Sequence, residues 1–267
     1  MYSVQSLTVK AAEKTLLHNI NVEFKRGAIN VILGANGAGK STLFKALLGE
    51  ISSHEGRVYF NRKAHSAWSI ESLAHARAYV AQMHQHAFDL PVFEYLLLAR
   101  EHIVESSKQS QQCVEAISHQ TGAKALLAQN LSLLSGGEAQ LVEFTRAILQ
   151  LFEAHKGFVN KCLLLDEPAS ALDIKQTRAL YRQIRWFTQS GGTAILIDHD
   201  INAMASIAQY ILLMKHGRLT AFGSTEEVFT QENLNHCFDV HGEIVEHRAS
   251  SIFSLPVQDD YVQYVNR

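Results

Sequence analysis

One stretch of the chain has the residue types and the spacing needed to hold a phosphate chain. It reads Gly34-Ala35-Asn36-Gly37-Ala38-Gly39-Lys40-Ser41-Thr42 and matches the P-loop pattern GxxxxGK[ST]. Its glycines let backbone N–H groups approach a phosphate, because a Cβ atom there would block the way. Lys40 can reach the outer phosphates as a point charge, and the Ser41 hydroxyl can bind Mg²⁺. The stretch therefore predicts nucleotide binding, with a chance glycine turn before a helix as the alternative.

Acidic and histidine side chains stand at the ends of two later apolar runs. Asp166 and Glu167 follow the first run, and His199 follows the second. Ligands of open parallel sheets gather at the carboxyl ends of the strands, so these side chains are expected to face the P-loop. There Asp166 can hold Mg²⁺, and Glu167 can act as the general base that activates water. The alternative is that the two carboxylates cap a helix beginning near Pro168.

The strands that must position these groups are predicted from the apolar pattern. Ile29–Leu33, Cys162–Leu165 and Thr193–Ile197 are apolar runs typical of central strands buried on both faces. Tyr2–Val9 and Ile20–Lys25 alternate apolar and polar residues, which predicts half-buried strands. The expected fold class is therefore α/β, with a mixed sheet around the strand that precedes the P-loop.

A long segment without strand signals separates the two halves of this core. Between Gln82 and Cys162 the pattern is helical, with helices predicted over Val92–His102 and, more briefly, over Ala123–Ala128. An insertion that is nearly all helix predicts a separate helical lobe. Further on, Ser224-Thr225-Glu226-Glu227 fits a capping box that opens a last helix. We expect one domain over residues 1–267, made of a core with a β subdomain (1–82 and 160–240), a helical subdomain (83–159) and a tail (241–267).

The helical segment contains a second motif that could meet a phosphate, Ser135-Gly136-Gly137-Glu138. Its S-x-x-E spacing is that of a helix capping box, so a purely local role would also account for it. The two glycines argue against that role alone, because glycine is a poor residue in the first turn of a helix. They suit a helix N-terminus whose bare backbone is approached by a phosphate.

The composition favours an ordinary globular chain and gives no basis for nucleic-acid binding. The chain is 47% apolar and 19% charged, with a formal net charge of −2, so no bulk attraction to nucleic acid is expected. Cys113, Cys162 and Cys237 are far apart, which indicates reduced thiols rather than a disulfide framework. No signal peptide and no run of about 18 apolar residues is seen. Membrane association is therefore expected only through a partner.

The ordered motifs resemble those of the ATPase subunits of ABC transporters over essentially the whole chain. The resemblance implies a P-loop NTPase (RecA-like) core with a mixed sheet, an antiparallel β subdomain and an inserted α-helical subdomain. It also implies ATP hydrolysis, ATP and Mg²⁺ as cofactors, and a head-to-tail homodimer. The motifs are GANGAGKST at 34–42, Gln82 after a strand, LSGGE at 134–138, LLLDEP at 163–168, SALD at 170–173 and His199.

The same resemblance implies a role for each of these residues. Glu167 and His199 would be catalytic, with His199 clamping the γ-phosphate and the water. Gln82 would sense the γ-phosphate and couple to the membrane subunits, and Asp173 would contact the dimer partner. The signature residues Ser135, Gly136, Gly137 and Glu138 would close the ATP site of the second copy. Mg²⁺ would be bound by Ser41, Gln82 and Asp166. ATP would be bound by Gly34, Ala35, Asn36, Gly37, Ala38, Gly39, Lys40, Ser41, Thr42, Gln82 and Asp166.

Several positions depart from the family pattern. Ala35 stands where proline is frequent, Ala169 where threonine often follows DEP, and Leu141 where arginine often follows the signature. Neither Lys10 nor Ala11 supplies the aromatic ring that often stacks on adenine. None of these changes removes a group needed for hydrolysis. The sequence does not indicate which residue recognises the adenine base.

Weaker cues indicate a group within the family. Ala87–Tyr95 and Ala99-Arg100 resemble importers of iron chelates, hemin and vitamin B12, and the long segment Leu149–Lys161 and the stretch Glu226–Phe238 are most similar to hemin-import ATPases. The resemblance implies hemin import, with a ferric siderophore or cobalamin as the alternative substrate. It further implies two membrane-spanning permease subunits and, indirectly, a periplasmic substrate-binding protein. The chain would then be peripheral, on the cytoplasmic face of the bacterial inner membrane.

Other functions fit the sequence less well. Soluble ABC proteins that act on nucleic acid or ribosomes commonly have two cassettes or a coiled-coil insertion, whereas this chain has one P-loop. A regulatory module without turnover is disfavoured by the intact Glu167 and His199. The chain has 14 histidines, including His84 and His86. We expect these to be surface or core residues rather than heme ligands, because in this family the substrate passes through the membrane subunits.

Overall fold

The computed structural model describes residues 1–82, 89–153, 156–247 and 250–255. His84, His86, Ala87 and Phe88 lie outside these ranges. The strands are β1 Tyr2–Ala11, β2 Lys14–Glu23, β3 Ile29–Leu33, β4 Glu55–Phe60, β5 Lys63–Ala64, β6 Arg77–Val80, β7 Cys162–Asp166, β8 Thr193–Ile197, β9 Tyr210–Lys215, β10 Arg218–Ser224, β11 Glu243–His247 and β12 Ser250–Ser254. The helices are α1 Lys40–Leu48, α2 Ile70–Ala76, α3 Val92–Leu98, α4 Ser107–Thr121, α5 Gly136–Leu151, α6 Ile174–Gln189, α7 Ile201–Ile207, α8 Thr225–Val228 and α9 Gln231–Phe238.

The central sheet has the strand order β10-β9-β3-β8-β7-β6. β3 is parallel to β8 and β9, and β7 is parallel to β8 and β6, whereas β10 is antiparallel to β9. The α/β class with a mixed sheet is therefore confirmed. Because parallel strands end at the same edge of a sheet, the loops that follow β3, β7 and β8 lie side by side.

Two hydrophobic clusters cover the two faces of this sheet. On β7, Leu163 and Leu165 join a cluster with the helices, whereas Leu164 joins a second cluster with the antiparallel strands. This division follows the period of two along a strand. The second cluster includes Phe44 of α1 and Phe60 of the antiparallel sheet, whose order is β2-β1-β4-β5. β3 and β8 are buried along their whole length as a result.

Residues between β6 and β7 are mainly helical, but two predicted helices are shorter than expected. The helix predicted over Ala123–Ala128 is a single 3₁₀ turn at Lys124–Leu126, and α3 ends at Leu98 rather than at His102. α3 stops there because Arg100 turns inward, where it is 2% exposed and donates hydrogen bonds to the carbonyls of Leu149 and Phe152. Tertiary contacts therefore ended a helix that local periodicity would have extended.

The C-terminal part differs from the prediction in one respect. The capping box at Ser224 and Glu227 is formed, but the helix it opens is only the single turn α8. Thr230 then caps a further helix, α9, so the prediction of one last helix was wrong. β11 and β12 form a hairpin that Asn202 holds through two hydrogen bonds to the backbone of Phe253. No helix within the described ranges combines the length and hydropathy needed to cross a membrane.

Candidate functional site

The P-loop connects the buried strand β3 to α1. Gly39 is the N-cap of α1, with a left-handed φ of 102°, and no acidic side chain occupies the first turn of that helix. The backbone N–H groups and the positive end of the helix dipole therefore meet at the carboxyl edge of the sheet, which favours an anion. This is the arrangement that the glycine spacing predicted.

Lys40 lies within this loop rather than in solvent. Its side chain is 7% exposed, and Nζ donates hydrogen bonds to the carbonyl oxygens of Gly34 at 2.6 Å and Ala35 at 3.2 Å. Burial lowers the pKa of Lys40, while the carboxylates of Glu167 and Asp166 oppose that shift. The ammonium is therefore held at the loop, where it can neutralise a phosphate.

A cleft of about 540 Å³ opens over the P-loop. Residues 36–42 of the P-loop and Glu167 line it, together with Lys14–Leu16 of β2 and His216-Gly217 at the turn between β9 and β10. The P-loop nitrogen donors, the hydroxyls of Ser41 and Thr42 and the Glu167 carboxylate thus share one concave surface. Such a surface can hold a phosphate chain beside a general base.

Three residues that the sequence placed at the catalytic centre come together beside this cleft. Gln82 Nε2 donates a hydrogen bond of 2.7 Å to Glu167 Oε2, and His199 Nδ1 lies 3.7 Å from the same oxygen. The alternative that Asp166 and Glu167 cap a helix at Pro168 is wrong, because residues 168–171 form a turn and the next helix, α6, begins only at Ile174. The carboxylate of Glu167 is therefore free of a local capping role.

Asp166 interacts with Tyr79, a residue that sequence reasoning missed. Burial and the neighbouring charge of Glu167 raise the pKa of Asp166, and Lys40, Lys45 and the Tyr79 hydroxyl oppose the rise. Burial, and to a lesser extent Asp166, raises the pKa of Tyr79 to about 12. The sequence placed Tyr79 only in the strand that precedes Gln82, and nothing in the pattern of that strand shows that it lies beside β7.

The donor set suits Mg²⁺ rather than a metal enclosed by protein ligands. The described residues contain no group of three or more His, Cys, Asp or Glu side chains able to hold a metal ion. Mg²⁺ is usually bound by one or two carboxylates together with phosphate oxygens and water. The Ser41 hydroxyl on the P-loop side and the Asp166 carboxylate on the β7 side supply donors of that kind.

Asp198 is a second residue to which the sequence assigned no role. Its side chain is buried, and Oδ1 accepts hydrogen bonds from the backbone N–H groups of His199 at 2.7 Å and Asp200 at 3.1 Å. Burial raises the pKa of Asp198, and Asp200 caps α7 through the N–H of Ala203. These contacts fix the backbone conformation at His199. The sequence signal that could have identified Asp198 is its position directly after a buried strand.

The signature residues do not line the cleft of their own chain. Ser135 and Glu138 form a complete capping box at the start of α5, so the local role is present. A Cβ atom on Gly137 would lie 2.8 Å from Oε1 of Gln176, so the signature abuts the first turn of α6. Gln176 also completes the capping box of Asp173. Residues 135–138 therefore lie near Asp173, and none of these residues lines the P-loop cleft.

The fold and this edge of the sheet define a class of protein, the P-loop NTPases. The sequence pattern of the ABC transporter family matches residues 17–170, and the chain belongs to that family. The ADP conformation of MJ1267, an ATP-binding cassette of an ABC transporter, shares the fold with a TM-score of 0.73 at 23% identity, over 88% of this chain and 93% of that one. The chain is accordingly an ATP-hydrolysing transporter subunit.

Similar sequences are more specific about the group within the family. The hemin import ATP-binding protein HmuV of Methylobacillus flagellatus is 34% identical over 250 residues, which cover 92% of each chain. The vitamin B12 import ATP-binding protein BtuD of Salmonella paratyphi A is 36% identical over 223 residues, covering 84% of this chain and 87% of BtuD. The chain is the ATP-binding subunit of an ABC importer close to these two kinds of protein.

Proposed function

We propose that the chain powers hemin import across the bacterial inner membrane by hydrolysing ATP at the cleft over its P-loop. The observation that carries the ATP-hydrolysis part of this proposal is the meeting of Gln82, Glu167 and His199 beside that cleft. An importer ATPase needs a general base, a group that senses the γ-phosphate and a group that holds the attacking water. These three side chains supply them in one place.

Each residue of the site has a distinct task in this proposal. The P-loop N–H groups and Lys40 bind the phosphates, and Mg²⁺ is held by Ser41, Asp166 and, through its amide oxygen, Gln82. When bound, the metal neutralises charge on the β- and γ-phosphates. Glu167 takes a proton from water, and His199 holds that water and the γ-phosphate.

A second copy of the chain completes the site. The signature residues 135–138 are absent from the lining of the cleft in their own chain. In a head-to-tail homodimer the signature of one copy covers the ATP of the other, with backbone N–H groups at the start of α5 facing the phosphate. Asp173, which abuts the signature region through Gln176, contacts the partner at the same interface.

The dimer would work on the cytoplasmic face of the inner membrane as a peripheral subunit. It would bind two membrane-spanning permease subunits and, through them, receive substrate from a periplasmic binding protein. The import functions named for HmuV and BtuD support this arrangement. Nucleic acid has no part in it, in keeping with the net charge of −2.

The catalytic assignment is tested by replacing Glu167 with glutamine. Glu167→Gln keeps the shape of the side chain but cannot accept a proton, so ATP turnover should fall about 10²- to 10⁴-fold while ATP binding persists. Steady-state phosphate release and equilibrium ATP binding measure the two effects. Glu226→Gln, at an exposed position on α8, is the control and should turn over ATP like the wild type. Unchanged ATP turnover in Glu167→Gln would mean that Glu167 is not the general base.

Hemin is the substrate that the long segment before β7 and the HmuV relatives favour. The BtuD match has the higher identity over a shorter length, so cobalamin is the second candidate, followed by a ferric siderophore. The test is to co-purify the membrane subunits and measure ATP hydrolysis in liposomes with each substrate and its binding protein. Stimulation by cobalamin and not by hemin would overturn the hemin assignment without affecting the catalytic one.

A further inference from the structure

The nucleotide cleft has a second wall that the phosphate chemistry leaves unused. It consists of Lys14–Leu16 on β2 and His216-Gly217 at the tip of the β9–β10 hairpin. Leu16 is half-buried and His216 is exposed, so an apolar side chain and an imidazole ring stand at the mouth of the cleft. Phosphates held by the P-loop would leave the rest of a nucleotide beside this wall.

The hairpin tip is fixed relative to the P-loop. The N–H of Gly217 donates a hydrogen bond of 2.9 Å to the carbonyl of Ala38, and its own carbonyl accepts one of 2.8 Å from the N–H of His18. Gly217 has a φ of 72°, and a Cβ atom there would lie 2.4 Å from the carbonyl oxygen of Leu16. His216, with a φ of 48°, is therefore held on a rigid turn that touches both β2 and the phosphate loop.

We propose that His216 is a nucleobase contact that, together with the side chain of Leu16, determines how tightly the base of ATP is held. Among the residues lining the described cleft, His216 carries the only ring. Flat bases gain affinity by resting against a ring or an apolar side chain, and stacking of this kind needs no particular hydrogen-bond pattern. Lys10 and Ala11 of β1 are exposed and supply no ring, so in this proposal the hairpin rather than β1 contacts the nucleobase.

This inference rests on the proposed nucleotide site, and its test separates the two. Wild type, His216→Asn and a control are titrated calorimetrically with Mg²⁺ and either ATP or inorganic tripolyphosphate, which has the phosphates but no base. Asparagine is chosen because it accepts a positive φ well, so the turn is kept while the ring is lost. The control is His236→Asn, which removes an exposed imidazole from neighbouring α9, outside the cleft lining.

The expected result is that His216→Asn weakens ATP binding about fivefold or more and leaves tripolyphosphate binding unchanged, while His236→Asn alters neither. Unchanged ATP binding in His216→Asn overturns the inference and leaves the nucleotide site standing. An equal loss for ATP and tripolyphosphate also overturns it, because the tip would then act only by shaping the P-loop. If the wild type binds neither ligand, the proposed nucleotide site itself is wrong.

Discussion

Glu167 occupies an unusual backbone position for the task assigned to it. Its φ is 45°, a left-handed conformation that costs a residue other than glycine free energy and persists only where the surroundings enforce it. Here its N–H donates to the carbonyl of Ile197 at 2.9 Å, and Gln82 binds its carboxylate. The turn after β7 thus aims the side chain at the cleft instead of letting it continue along the strand.

Tyr79 offers a test at the same scale, because it reaches Asp166 from the neighbouring strand. Tyr79→Phe keeps the ring that packs edge-on against Phe44 and removes the hydroxyl that acts on Asp166. Groups that orient a metal ligand typically change metal affinity about 10-fold or more, so the Mg²⁺ concentration for half-maximal ATP hydrolysis should rise by about that factor.

The measurement is a Mg²⁺ titration of ATPase activity at saturating ATP. Tyr59→Phe on β4, which removes a tyrosine hydroxyl outside the cleft lining, should leave the titration where the wild type has it. A Tyr79→Phe curve that superimposes on the wild type would mean that Tyr79 has only a packing role.

At the scale of elements, helix N-termini combine local and functional roles. α4 and α5 begin with the same device, a serine N-cap whose partner is a Gln or Glu three residues later. The box at Ser106 lies on a helix with no assigned contact to nucleotide, whereas the box at Ser135 belongs to the signature. The pair lets the capping contribution be separated from the functional one.

Ser135→Ala and Ser106→Ala should each destabilise the fold by about 1 kcal/mol, because each removes one N-cap acceptor. Thermal denaturation should show a drop in Tm of about 2–4 °C for both. ATP hydrolysis should fall clearly only in Ser135→Ala, which would lose the proposed contact to the ATP of the partner copy. Equal ATPase activity in the two variants would mean that Ser135 acts only as a helix cap.

At the scale of the whole molecule, the two halves of the proposed ATP site lie apart in one chain. The cleft is lined from the P-loop, β2 and the β9–β10 turn, while the signature sits at the start of α5 against α6. Apolar side chains near it, such as Ile174 (90% exposed) and Leu133 (73% exposed), remain uncovered. The proposed homodimer would bring the signature of a second copy to this cleft.

Glu167→Gln should therefore form a dimer that depends on both ATP and Mg²⁺. With both present, light scattering coupled to size-exclusion chromatography should give twice the monomer mass, and chelating Mg²⁺ should return the monomer. The double variant Glu167→Gln/Lys40→Ala, which lacks the phosphate-binding cation, should remain monomeric. A monomer under all conditions would contradict the shared site.

The sequence by itself determined what depends on neighbouring residues along the chain. The P-loop, the buried strands β3, β7 and β8, and the caps at Ser135 and Ser224 are local patterns, and the structure contains all of them. The ordered motifs also sufficed for the family and the fold class, because their joint spacing is specific. The subdomain bounds and the role of each site residue stay predictions.

Only the tertiary structure decided which distant residues meet. Gln82 and Glu167 are 85 positions apart, and Tyr79 meets Asp166 only because β6 lies beside β7. His216 reaches the cleft because β9 pairs with β3, and α3 stops early because the Arg100 side chain is buried against the end of α5. Strand order and packing create these contacts, and the periodicity of a single segment does not indicate which other segments it will contact.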